Sequence, residues 1–465
     1  MKRFAFVALT IAVLAIGGSG VAAAHPLGNF TINHYAGVTV RSDMVGVDYV
    51  IDMAEIPAFQ ARVDIDRDGD GSLSATELAG YAAVRCDDLR AGLALLIDGR
   101  AMTLEVDRAS ATLPAGQAGL ATLRVECAYQ GALAAVTGDG SRQLEIADTN
   151  YAERIGWREI TVQADGVRVE TSLPRESVSR RLTAYPQDLL SSPLDIRRGE
   201  VRVTGGGSSG ARPATPNAPP ATDGRPADPL AALIGQDELS VIGGALALLV
   251  AFGLGVVHAL SPGHGKSVMA AYLVGTRGTR RQALVLGPVV ALSHTAGVLL
   301  LGGATLAASR FIAPERLYPY LSVTAGVIVL GIGLTLVIRR VRSRRHGHDH
   351  AHDATGAPLG WRLLVALGLS GGIVPSASAL LLLLGAIHFD RIALGLVLIL
   401  AFGAGMAATL VCIGLALVGA RRFAQGAVHG HRVLGRALRL LPELTAVIVL
   451  VLGIGMTAQG LATVL

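Results

Sequence analysis

The nine residues His258-Ala-Leu-Ser-Pro-Gly-His264-Gly-Lys266 place two imidazoles and an ammonium around a Pro-Gly break. They close a hydrophobic run that carries no charged residue from Leu239 to Leu260. An ionisable group in or against hydrocarbon costs on the order of 3 kcal/mol, so this concentration points to an ion path. A juxtamembrane turn with interfacial His and Lys is the plainer alternative. His294 stands well inside the next hydrophobic run, between Ser293 and Thr295. Neutral imidazole suits nickel, cobalt, zinc and copper, and does not suit magnesium or calcium. Three imidazoles, with carbonyls freed at Pro262 and Gly263, could strip water from a first-row dication. The hydrophobic windows hold no Asp or Glu, so such a site is weakly anionic and releases its ion. His294 taken alone reads equally well as a histidine hydrogen-bonded between helices.

Two further stretches carry metal-ligand chemistry. His346-Gly-His348-Asp-His350-Ala-His352-Asp353 alternates imidazole with carboxylate and reads as a metal-collecting tract or a solvated polar loop. Asp66-Arg-Asp68-Gly-Asp70-Gly71-Ser72-Leu-Ser74-Ala-Thr-Glu77 fits the twelve-residue EF-hand loop at its diagnostic positions. Asp66, Asp68 and Asp70 offer carboxylate oxygens, Ser72 its carbonyl, Ser74 a contact through water, and Glu77 a bidentate closure. Gly71 permits the sharp turn, and the helix leaving the loop begins near Glu77. With no second loop, a structural calcium clip is expected rather than a paired sensor.

Composition sets the frame for these sites. The 465 residues are 51% hydrophobic and 16% charged, against about 25% charged in ordinary soluble domains. The deficit lies after residue 238, so a soluble part precedes a membrane part. Met1–Ala24 reads as a secretory signal, with Lys2 and Arg3, an apolar stretch and Ala22-Ala23-Ala24. Cleavage there would make His25 the mature N-terminus, whose amine and imidazole chelate a transition metal. His34 shares a strand face with Phe30 and Ile32, and a His25/His34 metal site is one reading; an inert first residue is the other.

From 25 to 204, short alternating runs such as Ala101–Val106 predict a small antiparallel β-domain with the acidic loop at 66–77 inserted between strands. Cys86 and Cys127 fall in it, and either pair or stay as buried thiols. A Gly/Ser/Pro linker spans 205–230. The membrane part, 239–465, contains six charge-free windows: Leu239–Leu260, Ala283–Ser309, Leu317–Ile338, Leu363–Phe389, Ile392–Ala420 and Leu444–Leu465. Arginines cluster after the first, third and fifth windows, the third cluster opening the histidine-bearing loop at 339–360. By the positive-inside rule these connections are cytoplasmic, and both the N-terminal domain and the C-terminus are periplasmic. The signal peptide demands the same orientation.

The expected fold is thus a polytopic α-helical membrane protein with six transmembrane helices, preceded by an exported mainly-β domain. Breaks at Pro262-Gly263 and at Gly371-Gly-Ile-Val-Pro375 open the two halves of the membrane part, which suits a 3+3 inverted repeat. The net charge of +5 comes from arginines flanking hydrophobic runs, so lipid rather than nucleic acid explains it. Gly265-Lys266-Ser267 is no phosphate-binding loop, because Leu260 stands where that motif needs glycine. No nucleotide partner is expected.

The segments His258–Lys266, Ser293-His294-Thr295 and Gly372-Ile-Val-Pro375, with the His-rich loop, resemble the motifs of the NicO/RcnA-type nickel/cobalt transporter family. His25-Pro-Leu-Gly-Asn-Phe and Asn150-Tyr-Ala-Glu-Arg-Ile-Gly-Trp157 resemble the exported domain of one branch of it. The resemblance implies a six-helix inner-membrane permease whose substrate is Ni²⁺ or Co²⁺. His258, His264 and His294 are its expected pathway residues, with Lys266, Ser293 and Pro375 in the same motifs. After Pro375 this chain reads Ser-Ala-Ser, where the family often carries cysteine, so a softer ligand is missing. The cytoplasmic tract favours efflux; uptake, or a membrane-embedded zinc metalloenzyme, are the alternatives. The enzyme would need a general base that the windows do not supply.

Overall fold

Val45, Val47, Tyr49 and Ile51 alternate along the chain, and each is at most 3% exposed. That period of two buries one face of a strand in the core of an N-terminal β-rich domain. The computed structural model describes residues 28–133, 140–186, 189–190, 193–205, 240–261, 279–307, 314–345, 361–427 and 432–464. Outside these lie the leader with His25, nearly all of the linker, His264 and Lys266, and the tract from His346 to His352. The chain divides into two compact units, with Gly20–Asp228 in one and Pro229–Leu465 in the other.

The first unit opens with β1 (Ile32–Val40) and β2 (Met44–Met53), then α1 (Glu55–Ile65), the acidic loop and α2 (Ala75–Arg90). The strands β3 (Leu93–Ile97), β4 (Arg100–Ala101), β5 (Glu105–Thr112), β6 (Leu123–Ala132) and β7 (Ser141–Asp148) follow. Last come β8 (Arg158–Ala164), β9 (Arg168–Thr171) and β10 (Arg198–Thr204). They form two five-stranded sheets, ordered β5-β6-β2-β1-β8 and β4-β3-β7-β10-β9. One core draws on both sheets, through Val47 and Val125 from the first and Leu95, Leu144 and Val201 from the second.

Two expectations need correction here. The sheets are not wholly antiparallel, because β1 pairs with β8 in parallel, His34 opposite Arg158. Hydrophobic alternation fixes which face a strand buries and is silent on its direction. The run expected as one strand at 101–106 is split between β4 and β5. Cys86 on α2 and Cys127 on β6 form a disulfide that fixes the helix to the first sheet.

The second unit is helical: α3 (Val241–Leu260), α4 (Arg280–Ala307), α5 (Pro314–Arg345), α6 (Trp361–Gly372), α7 (Ala377–His388), α8 (Ile392–Ala427) and α9 (Arg432–Val464). Within five of these, Val241–Leu260, Arg280–Ala304, Leu317–Ile338, Ile392–Ala420 and Glu443–Leu461 are long and apolar enough to cross a membrane. The pair α6 and α7 passes the same test together, bent by 65° at the break. The chain is therefore a multi-pass membrane protein with five to six apolar spans. Along α4, Val290, Ala291, His294, Thr295, Val298 and Leu301 are buried while Leu292 and Leu300 are exposed. That three- and four-residue spacing turns His294 inward and leaves leucine for lipid.

Candidate functional site

His294 is 4% exposed, an expensive place for an imidazole unless its nitrogens find partners. Its ring centroid lies 5.3 Å from that of His258, which projects from the last turn of α3. Phe402 on α8 lies against both, 5.6 Å from His258 and 6.2 Å from His294. Imidazole nitrogens sit about 2.0–2.1 Å from a first-row ion, so two rings sharing one lie on the order of 5 Å apart. The pair therefore has the separation for a common dication.

The break between α6 and α7 meets this pair directly. Nε2 of His294 lies 3.1 Å from the Ser376 hydroxyl and accepts the Ser376 amide at 3.2 Å. Ser376 is also the N-cap of α7, its hydroxyl accepting the Ala379 amide at 3.3 Å. The Tyr318 hydroxyl, on α5, donates to the Pro375 carbonyl at 3.0 Å. Ser293 donates to the Leu369 carbonyl at 3.3 Å. Gly372 makes the close approach possible, since a Cβ there would stand 2.3 Å from the Val290 carbonyl oxygen. Side chains or backbone from α3, α4, α5, α8 and the break thus converge on one place.

Of the residues expected in the passage, His258, His294, Ser293 and Pro375 gather here; His264 and Lys266 lie outside the described residues. Sequence reasoning missed Tyr318 and Phe402, and noted Ser376 only as the place where a cysteine ligand is missing. Ser376 had a signal, a cap-forming residue directly after the proline of a broken span. Aromatics are only 4% of the chain, so Tyr318 and Phe402 stand out among the aliphatic residues of the hydrophobic windows.

In the β-rich domain, Asp66, Asp68 and Asp70 each bring a carboxylate oxygen within 4.8 Å of the others. The loop is already satisfied by its own backbone. Asp66 accepts the Gly69 and Gly71 amides at 2.8 and 3.0 Å, and Asp70 accepts Ser72 at 2.7 Å. Glu77 accepts the Arg67 amide at 2.8 Å and the Ser74 amide at 2.9 Å, and forms a capping box with Ser74 at the start of α2. These backbone donors, Ser74 first, hold the Glu77 carboxyl down at about 2.

His34 is 1% exposed, its Nδ1 2.8 Å from Asp148, which also accepts the Tyr49 hydroxyl at 2.9 Å. Burial, then the Asp148 charge, raises Tyr49 well above the usual phenol range. Asn150 reaches back to the Tyr49 hydroxyl at 3.1 Å, and the Trp157 amide donates to Asn33 at 2.9 Å. The segment Asn150–Trp157 thus packs against β1 and β2, with the Ile32 amide also donating to the Ile155 carbonyl at 3.0 Å. His34 is a core residue here, and its suggested partner His25 lies outside the described residues.

A family profile described as a high-affinity nickel-transport protein matches residues 244–357. A candidate nickel/cobalt efflux system of Methanocaldococcus jannaschii is 32% identical over 206 residues, 44% of this chain and 89% of that protein. The nickel/cobalt efflux system RcnA of Escherichia coli (strain K12) is 29% identical over 205 residues, 35% of this chain and 74% of its own. RcnA of Shigella flexneri is 28% identical over 213 residues, 35% of this chain and 75% of its own. No solved structure is significantly similar to the chain.

Proposed function

The chain belongs to the NicO/RcnA-type nickel/cobalt transporter family, and on that premise we propose that it exports Ni²⁺ or Co²⁺ across the bacterial inner membrane. The family is one of transporters and not of enzymes, so the metalloenzyme alternative is dropped. The observation that carries the reading is the His258–His294 pair, 5.3 Å apart, set against the break after Pro375. An ion entering between the rings exchanges water for imidazole nitrogen, and neither ring is a carboxylate that would hold it too long. His264 and Lys266, next along the chain, are read as further residues of the passage, and the tract His346–His352 as the collector of the ion on the cytoplasmic side. Efflux is favoured by that tract and by relatives named as efflux systems.

The arginine clusters support an orientation with the β-rich domain and the C-terminus in the periplasm. The Cys86–Cys127 disulfide suits an oxidising compartment. In that domain the donors of Asp66, Asp68 and Asp70 fit a calcium ion, a hard cation that takes oxygen ligands. Glu77 would have to leave the Arg67 and Ser74 amides to join them. Calcium there would pin α1 to α2.

Nickel and cobalt content in cells with and without the protein tests the direction. Cells lacking an exporter retain more metal. Lower content in those cells would reverse the assignment to uptake, and an unchanged content would remove the transport reading.

A further inference from the structure

We propose that Ser376 is itself a residue of the ion passage, because it holds the one lone pair on His294 that a passing dication would take. This rests on the reading of His294 as a pathway residue. An amide N–H can only donate, so Nε2 of His294 is the acceptor of the 3.2 Å contact from Ser376 and carries no proton. The Ser376 hydroxyl lies 3.1 Å from the same nitrogen. Its oxygen already accepts Ala379 and Ser378, each at 3.3 Å, so its own proton is left to point at Nε2. One lone pair therefore meets two donors from a single residue.

That residue is the hinge of the bent pair, since Ser376 caps α7 directly after Pro375. A dication cannot bind Nε2 while the amide occupies it. Taking the nitrogen releases the N-cap of α7 from α4, and reforming the contact expels the ion. Capture and the angle of the fourth span are then one equilibrium, and each biases the other by the same factor. A cysteine at this position would offer the ion a sulfur ligand in addition; serine offers mainly competition. The passage in this chain is therefore built for release rather than for tight holding.

The test uses the full chain in liposomes with Co²⁺ alone as substrate. Ser376→Ala, which weakens the competitor, is expected to lower KM by about fivefold, the low end of ordinary coupling, and to lower maximal rate as well. Ser376→Thr keeps the hydroxyl and restores both. In a chain carrying Cys412→Ser, a thiol placed by Ser378→Cys reports the break through its maleimide labelling rate. Co²⁺ is expected to speed that labelling, and adding Ser376→Ala to make it fast without Co²⁺. Should Ser376→Ala not insert, the Co²⁺ response of the Ser378→Cys chain decides alone. If His294→Ala abolishes transport while Ser376→Ala keeps wild-type KM, or if labelling ignores Co²⁺, the competition is refuted and the passage stands. If His294→Ala transports normally, both ideas fall.

Discussion

The acidic loop and the imidazole pair both gather metal-ligand atoms, and they do so by opposite means. Asp66, Asp68, Asp70 and Glu77 come from one short exposed loop, and their oxygens are already held by amides of that loop. His258 and His294 come from separate helices, and Nε2 of His294 is held by an amide from a third element. Local hydrogen bonds within the loop supply its form. The pair exists only when α3, α4, α8 and the break pack together. A local site survives damage elsewhere in the chain, whereas a packed site turns any shift of a helix into a change in ligand geometry. That is what a passage needs and a clip avoids.

The largest expected effect separates the two. His258→Ala and His294→Ala should each cut Co²⁺ transport at least about a hundredfold, the upper end for losing a group that orients or ligates a metal. Protein level and membrane insertion should not change. Asp68→Asn, in the loop, should leave transport close to wild type. Vesicle flux measured for all three decides the matter, and equal losses would erase the distinction between passage and clip.

Removing the Cys86–Cys127 link comes next. The bridge closes a sequence separation of 41 residues, for which loop entropy gives roughly 4 kcal/mol. Cys86→Ser with Cys127→Ser should lower the unfolding free energy of the β-rich domain by about that amount, read by denaturant titration of near-ultraviolet signal. A loss below about 1 kcal/mol would mean that the sheets hold α2 without the bridge.

How much of this was legible follows the same division. The cluster of Asp66, Asp68 and Asp70 could be read from the sequence, because contiguous donors at fixed spacing are a local pattern; the capping box of Ser74 with Glu77 was not. The break between α6 and α7 could be read too, since Pro375 disfavours helix wherever it is placed. What stayed hidden depends on packing between distant residues. No spacing along the chain says that Phe402 will lie against His258, or that Tyr318 will donate to the Pro375 carbonyl. The parallel pairing of β1 with β8 was hidden for the same reason. His34 shows the same limit in a single residue: Phe30 and Ile32 are its neighbours in sequence, and the carboxylate that meets its Nδ1 at 2.8 Å, Asp148, comes from far along the chain.

A smaller effect probes the loop's independence. Ser74→Ala removes the capping box of α2 and should cost about 1 kcal/mol, the ordinary value of an N-cap. Calcium should recover part of it, because an ion bound by Asp66, Asp68 and Asp70 would order the same turn. Thermal unfolding of the variant with and without Ca²⁺ reads both numbers. A variant whose melting ignores Ca²⁺ would leave the loop as a capped turn and nothing more.

The smallest effect lies in acid. Glu77 has its carboxyl lowered from 4.5 to about 2, chiefly by the Ser74 amide and hydroxyl and the Arg67 amide. A lowered folded value means that ionised Glu77 favours the folded loop. The contribution is whole above about 4.5 and fades as pH falls toward 2. Glu77→Gln keeps the shape and loses the charge, so the variant should titrate flat across this window where the native chain loses helicity at α2. Circular dichroism between those limits reads the difference. Its sign also separates the loop's two uses of Glu77, because a carboxylate drawn away to calcium no longer accepts Ser74. Calcium should therefore weaken the capping contribution while it strengthens the loop as a whole, and an unaltered acid profile in calcium would place Glu77 permanently at the cap.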